Sequence, residues 1–170
     1  YSGKFPFLST GCQRTGDQRR RRPDNFMIQI HQGVDIVDVA RFREVAGRNR
    51  DFLSDIFTPG EMEYCFSMKD PHPHFAGRFA AKEACLKALG IGLSPTGTGH
   101  SLREIEISRH PSGRPLLLLN GWAASISRRK RICQHTVSIS HTSGTAVATV
   151  MLVADNAESA TKKEKKNETK

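Results

Sequence analysis

Cysteine is scarce in this 170-residue chain: there are four, Cys12, Cys65, Cys85 and Cys133, with neither C-x-x-C spacing nor close pairs. That argues against a disulfide framework and against structural zinc, and the four read as free thiols of a reducing compartment. Long apolar runs are missing too. The longest, 146–154, is broken by Thr149 and falls far short of the ~20 residues a membrane span needs, and no h-region follows a basic start. A soluble, cytoplasmic protein is expected, with no membrane partner. Aromatic residues are few, and none is interleaved with the basic runs, which argues against a single-strand nucleic-acid platform. No internal repeat is visible, and the length suits one domain with a real core.

Basic residues are abundant but unevenly spread. Lys and Arg outnumber Asp and Glu by 26 to 17, and residues 1–26, with Arg19, Arg20, Arg21 and Arg22, carry +4 of the net +9. This segment is rich in Gly, Arg, Gln, Ser and Thr and has no helix or strand period, so a disordered basic extension is expected over 1–26. Met27 opens the first ordered run. The extension reads as a leader, upstream translation or a targeting arm; its arginines suit organellar import, whereas Asp17 and Asp24 do not. A Lys-rich disordered tail is expected over 155–170. The body, 27–154, holds 15 basic and 11 acidic side chains, a balance that suits an acidic protein partner without demanding nucleic acid.

Within the body, residues 27–37 alternate and then turn at Gly33, which predicts a strand. Asp38 can cap a helix with apolar Val39, Phe42 and Val45 and with Arg41, Arg43 and Arg48 on other faces. Thr58-Pro59-Gly60-Glu61 reads as a capping box opening a helix that ends near Lys69. Residues 74–89 place Ala76, Ala80, Ala84 and Ala88 at every fourth position, which predicts the longest helix, stopped at Gly90. Residues 104–108 and 115–119 flank the Pro111-Ser112-Gly113-Arg114 turn as a hairpin. A short helix over 121–131 and a second hairpin, 136–140 with 146–153, complete the order. Without regular strand-helix alternation the class is α+β: a small mixed or antiparallel sheet packed on a long helix.

Asp35 ends the first strand, and Glu83 and Lys87, four apart, share a face of the long helix. Two carboxylates and a lysine are the outline of Mg²⁺-assisted phosphate chemistry, since Mg²⁺ takes one or two carboxylates plus waters and phosphate oxygens. On spacing alone, an ordinary surface pair and a strand-ending aspartate are the plainer reading. His141 follows Ser138-Ile139-Ser140, whose hydroxyls would lie opposite Val137 and Ile139 and open a polar cleft along the strand; a solvated strand-end histidine is the plainer reading. Glu61 is explained by its capping role rather than by catalysis.

Taken together, Gly33-Val34-Asp35-Ile36-Val37, Phe57-Thr58-Pro59-Gly60-Glu61, Arg78-Phe79-Ala80-Ala81-Lys82-Glu83-Ala84 with Lys87-Ala88, Gly113-Arg114-Pro115 and Ser138-Ile139-Ser140-His141 resemble the holo-[acyl-carrier-protein] synthase family across 27–154. The resemblance implies a homotrimer with coenzyme A and Mg²⁺ bound where subunits meet. It makes Asp35 and Glu83 the metal ligands and Arg78, Lys87, Ser138 and His141 the contacts to coenzyme A. Arg41, Arg43 and Arg48, on the first basic helix, become the docking residues for an acidic acyl carrier protein, with Arg41 foremost. In the implied reaction a carrier serine attacks the β-phosphate of coenzyme A, and adenosine 3′,5′-bisphosphate leaves. Glu83, Asp35 through a water, or His141 could take the serine proton. The chain departs from the family at His31-Gln32, where a glycine usually precedes Gly33 by two positions. Two rival readings are a basic module binding through Arg19–22 and Arg128–131, and a metal-dependent phosphohydrolase that uses water instead of a carrier serine.

Overall fold

A computed structural model describes residues 28–49, 51–91 and 102–155. Strand β1 (Ile28–Asp38) leads into helices α1 (Val39–Arg48), α2 (Phe52–Ile56), α3 (Pro59–Phe66) and α4 (Pro71–Ala88). A 3-10 turn (Leu102–Glu104), the hairpin β2 (Ile105–Arg109) and β3 (Pro115–Leu119), helix α5 (Gly121–Arg129), and strands β4 (Ile132–His141) and β5 (Thr145–Asp155) follow. The class is the expected α+β. β5 lies between β1 and β4 in one antiparallel sheet, and β2 pairs only with β3 in a second. The proposed extension over 1–26 and the tail beyond Asp155 lie outside the described residues, as does most of the loop after Gly90.

The local signals act as their chemistry requires. Asp38 Oδ1 accepts from the Arg41 amide at 2.8 Å and starts α1, and Thr58 and Glu61 close a reciprocal capping box on α3. Gly90 leaves α4 at φ +69, a conformation open to glycine. Helix α4 starts at Pro71 rather than 74, because Asp70 caps it and prolines at 71 and 73 sit in a first turn that needs no amide donors. Helix α3 stops at Phe66, short of Lys69, where the Ser67 amide turns to the Glu63 and Tyr64 carbonyls.

The turn expected at Gly33 is absent. β1 runs straight through it, paired in unbroken register with β5 from Ile28 opposite Asp155 to Asp38 opposite Thr145. The second hairpin is longer than expected, with a bulge at Cys133. In β5, Ala146, Ala148, Val150, Leu152 and Ala154 are buried while the residues between them are not. They face α4, whose Ala80, Ala84 and Ala88 let the sheet come close; Ala148, Val150 and Leu152 join these alanines with Ile105, Ile107 and Leu117 in the main core. A second cluster gathers Phe42, Phe57 and Phe75 with edge and tilted ring contacts, Phe57 to Phe75 at 5.0 Å.

Period-two alternation gives the sheet two different faces. Gly33, Asp35 and Val37 of β1 and Val137, Ile139 and His141 of β4 share registers with the buried residues of β5 and so lie on the α4 side. The opposite face carries exposed Ile28, Ile30, Val34, Ile36 and Met151. No helix among the described residues is long and apolar enough to cross a membrane.

Candidate active site

Two close approaches to α4 decide where the polar groups fall. A Cβ on Gly33 would stand 1.9 Å from the carbonyl oxygen of Ala84, and one on Gly77 would stand 2.9 Å from Ile139 Cγ2. Glycine at 33 lets β1 lie on one flank of the helix; glycine at 77 lets β4 lie on the other. The flanking strands are two strand spacings, roughly 10 Å, apart across β5.

On the β1 flank the structure brings Asp35, Glu83 and Lys87 together. Lys87 Nζ donates to Asp35 Oδ1 at 2.7 Å and to the Val34 carbonyl at 3.0 Å. Glu83 is 6% exposed, and its buried Oε1 has no hydrogen-bond partner. Burial first, and the neighbouring Asp35 charge second, push its carboxyl up to about 7 from 4.5, while Lys87 pulls the other way. An orphaned carboxylate oxygen beside a second carboxylate costs folding free energy that a cation would return. The donors are all oxygen, which fits a hard cation. Among the described residues no three His, Cys, Asp or Glu gather, so two carboxylates would leave the remaining positions to water or phosphate oxygens, as Mg²⁺ prefers.

Asp35 and Glu83 line an open groove of about 640 Å³ with apolar walls that include Phe42, Phe52 and Phe79. Arg41 lines it as well. Arg43 instead pairs with Asp70 at 2.9 Å, and Arg48 with Glu44 at 2.5 Å. The three arginines expected to act together thus face different surroundings.

Arg78 and His141 lie on the other flank. Arg78 is five residues before Glu83, roughly 140° around the helix. Its guanidinium stacks 3.9 Å above the Tyr64 ring, and its buried Nε has no partner. His141 shares β4's inward face with Ile139 and meets the His74 ring edge-on at 4.6 Å. Together with Ser108, Arg109, Gly113 and Pro115 of the hairpin, these residues enclose a cleft of about 150 Å³. It shares no lining residue with the Asp35 groove. Ser138 lines neither. The polar cleft expected to join His141 to Ser138 and Ser140 does not form, because alternation puts the serines on the opposite sheet face.

Glu61 is fully engaged in structure. Its Oε2 accepts from Thr58 N and from Lys82 Nζ, both at 2.8 Å, and its Oε1 from Ile107 N at 2.9 Å. Lys82, with no exposed surface, also donates to the Leu102 and Ile105 carbonyls. Burial draws the Lys82 ammonium below the ordinary lysine value, with Glu61 opposing. Sequence reasoning did not single out Lys82, Tyr64 or His74. A lysine beside the glutamate of a helix carries no mark of burial, and neither ring belongs to a periodic pattern.

Comparison with known proteins identifies the family and the fold. Residues 32–150 match the model of the 4′-phosphopantetheinyl transferase superfamily. A holo-[acyl-carrier-protein] synthase of Syntrophus aciditrophicus is 41% identical over 121 residues, 71% of this chain and 92% of its own, and one of Geobacter sp. strain M21 is 45% identical over 121, 71% and 94%. Among solved structures, the Helicobacter pylori holo-[acyl-carrier-protein] synthase in complex with coenzyme A superposes with a TM-score of 0.61 at 36% identity, covering 71% of this chain and 98% of that one. A Chronobacterium ammoniagenes complex with coenzyme A gives 0.64 at 30% identity, covering 73% and 96%. The fold and these relatives define a phosphopantetheinyl transferase. The chain belongs to the 4′-phosphopantetheinyl transferase superfamily.

Proposed function

We propose that this protein is a holo-[acyl-carrier-protein] synthase, which moves the 4′-phosphopantetheine arm of coenzyme A onto a serine of apo acyl carrier protein and releases adenosine 3′,5′-bisphosphate. The observation that carries the reading is the Asp35 and Glu83 carboxylate pair, with a buried unpartnered oxygen and Lys87 on the same face, in a chain of this family.

Asp35 and Glu83 would hold Mg²⁺, which when bound neutralises diphosphate charge and polarises the phosphoryl oxygens. Lys87, half exposed, presents an ammonium to further phosphate oxygens from the same helix face. The serine oxygen attacks the β-phosphorus in line as the bond to the departing nucleotide breaks. Of the groups that could take its proton, Glu83 and Asp35 stand beside the diphosphate and act through a water, whereas His141 is on the far flank of α4. Arg41, on the rim of the same groove, faces the acidic carrier.

Coenzyme A needs both flanks, and one chain keeps them apart on either side of α4. A head-to-tail contact that sets the Asp35 groove of one subunit against the Arg78 and His141 cleft of the next completes the site, and closure of that contact gives a ring. The ring proposed is a homotrimer with active sites between subunits, and the exposed Ile28, Ile30, Val34, Ile36 and Met151 give it apolar surface to cover.

Mass spectrometry of an apo acyl carrier protein incubated with the chain, coenzyme A and Mg²⁺ tests the function. One phosphopantetheine should be gained, and the gain lost with EDTA or Glu83→Ala. Consumption of coenzyme A without any modified carrier would sink the reading in favour of hydrolysis.

A further inference from the structure

The Arg78 cleft holds one more ionisable group than this function uses. His74, one turn before Arg78 on α4, lies edge-on to His141 at 4.6 Å between ring centroids and edge-on to Tyr64 at 5.9 Å. The Tyr64 ring carries Arg78 on one side, and Arg109 approaches it from β2 at 5.5 Å. Two imidazoles and two guanidiniums therefore face one small cleft, and no carboxylate lines it. The acid that acts on His74 is Asp70, one turn earlier, already bonded to Arg43 and His72.

These surroundings disfavour the protonated form of His74. Burial, then the charges of His141 and Arg78, hold it below the ordinary histidine value, with Asp70 opposing. Arg78 meanwhile keeps a buried Nε donor without an acceptor. Such a cleft suits a compact dianion better than a diphosphate, whose bridged phosphates carry less charge each.

We propose that His74 is a further ligand-binding residue: as the 3′-phosphomonoester of the donor nucleotide seats against Arg78, the His74 imidazole takes a proton from solvent and becomes a charge-assisted donor to it. Proton uptake then marks a donor that carries the 3′-phosphate and separates it from one with a bare ribose hydroxyl. No bond to phosphorus changes. The inference rests on coenzyme A being the donor.

Calorimetric titration of the full chain with adenosine 3′,5′-bisphosphate, in Tris and in PIPES at one neutral pH, reads the proton directly, with adenosine 5′-monophosphate as the ligand lacking the 3′-phosphate. For the wild type the bisphosphate heat should differ between buffers as uptake requires. In His74→Phe, which keeps a ring, that difference should vanish and bisphosphate affinity should fall roughly tenfold. In His74→Gln, which keeps a neutral donor, the difference should vanish with a smaller loss of affinity. Equal buffer dependence in all three proteins, or an unchanged preference for bisphosphate over monophosphate, overturns the role of His74. Carrier modification followed in parallel separates the two ideas: transfer with unaltered heats sinks His74 alone, whereas absence of both nucleotide binding and transfer sinks the donor reading and this inference with it.

Discussion

Gly33 and Ala84 meet backbone to backbone: a Cβ on Gly33 would overlap the Ala84 carbonyl and stand 2.8 Å from the Ala88 amide nitrogen. Both obstacles are main chain, so neither can swing away. Gly33→Ala should cost about 2–3 kcal/mol in urea unfolding. It should also pull Asp35 off Glu83, so any residual fold should gain less thermal stability from Mg²⁺ than the wild type does.

Glu83 makes stability depend on pH in a stated direction. Its carboxyl holds a proton up to about 7 in the folded chain, against 4.5 for the free group. Its contribution to metal-free stability is therefore complete below the lower value and is lost as pH rises through the higher one. Glu83→Gln should remove that loss, flattening the melting temperature between about pH 5 and 8 relative to wild type. Mg²⁺ should raise the wild-type melting temperature more on the alkaline side of 7 than on the acid side, and leave the variant unmoved. Scanning calorimetry in both series checks this.

Lys82→Met leaves Glu61 charged and buried without its cation. A loss of about 3–5 kcal/mol is expected by chemical denaturation. Because the penalty lies in the uncompensated charge, adding Glu61→Gln should recover a large part of it. A double variant as unstable as the single one would show that the hydrogen bonds to Leu102 and Ile105 matter more than the charge.

Arg41→Glu should raise the KM for the carrier about tenfold, near 1.4 kcal/mol, with the KM for coenzyme A little changed. The defect should shrink as salt is added, since the arginine acts at an exposed rim. Arg48→Glu, whose native side chain is paired with Glu44, should do less. Steady-state kinetics at two ionic strengths separates them.

Ile30, on the sheet face away from α4 and 59% exposed, tests the assembly. Ile30→Glu should leave the monomer folded and shift sedimentation toward the single chain, with transfer activity falling in parallel.

Much of this was legible in short stretches of sequence. Asp38, the Thr58 and Glu61 box, Gly90 and both hairpin turns act through neighbours a few residues away, so their chemistry can be read locally. Helix α2 escaped because five residues are too few to set up a period. The β1 to β5 pairing escaped because nothing local in either strand names so distant a partner. Asp35, Glu83 and Lys87 lie together as helix spacing suggests, whereas alternation turns His141 toward α4 and away from the serines of its strand. Arg78 and Glu83 look adjacent in sequence, yet a helix sends them to opposite clefts.

The sheet that carries Asp35 joins β1 to β5, the first and last strands among the described residues. As the chain leaves the ribosome, β1 emerges well before β5 and has no partner until β5 has followed it, so the edge that holds Asp35 over Glu83 waits for β5. Helix α4 and the β2–β3 hairpin can settle first, from local contacts; the long closure of β1 on β5 comes last and is slow for its sequence separation. Catalytic competence in this fold is thus reached only once β5 is in place beside β1.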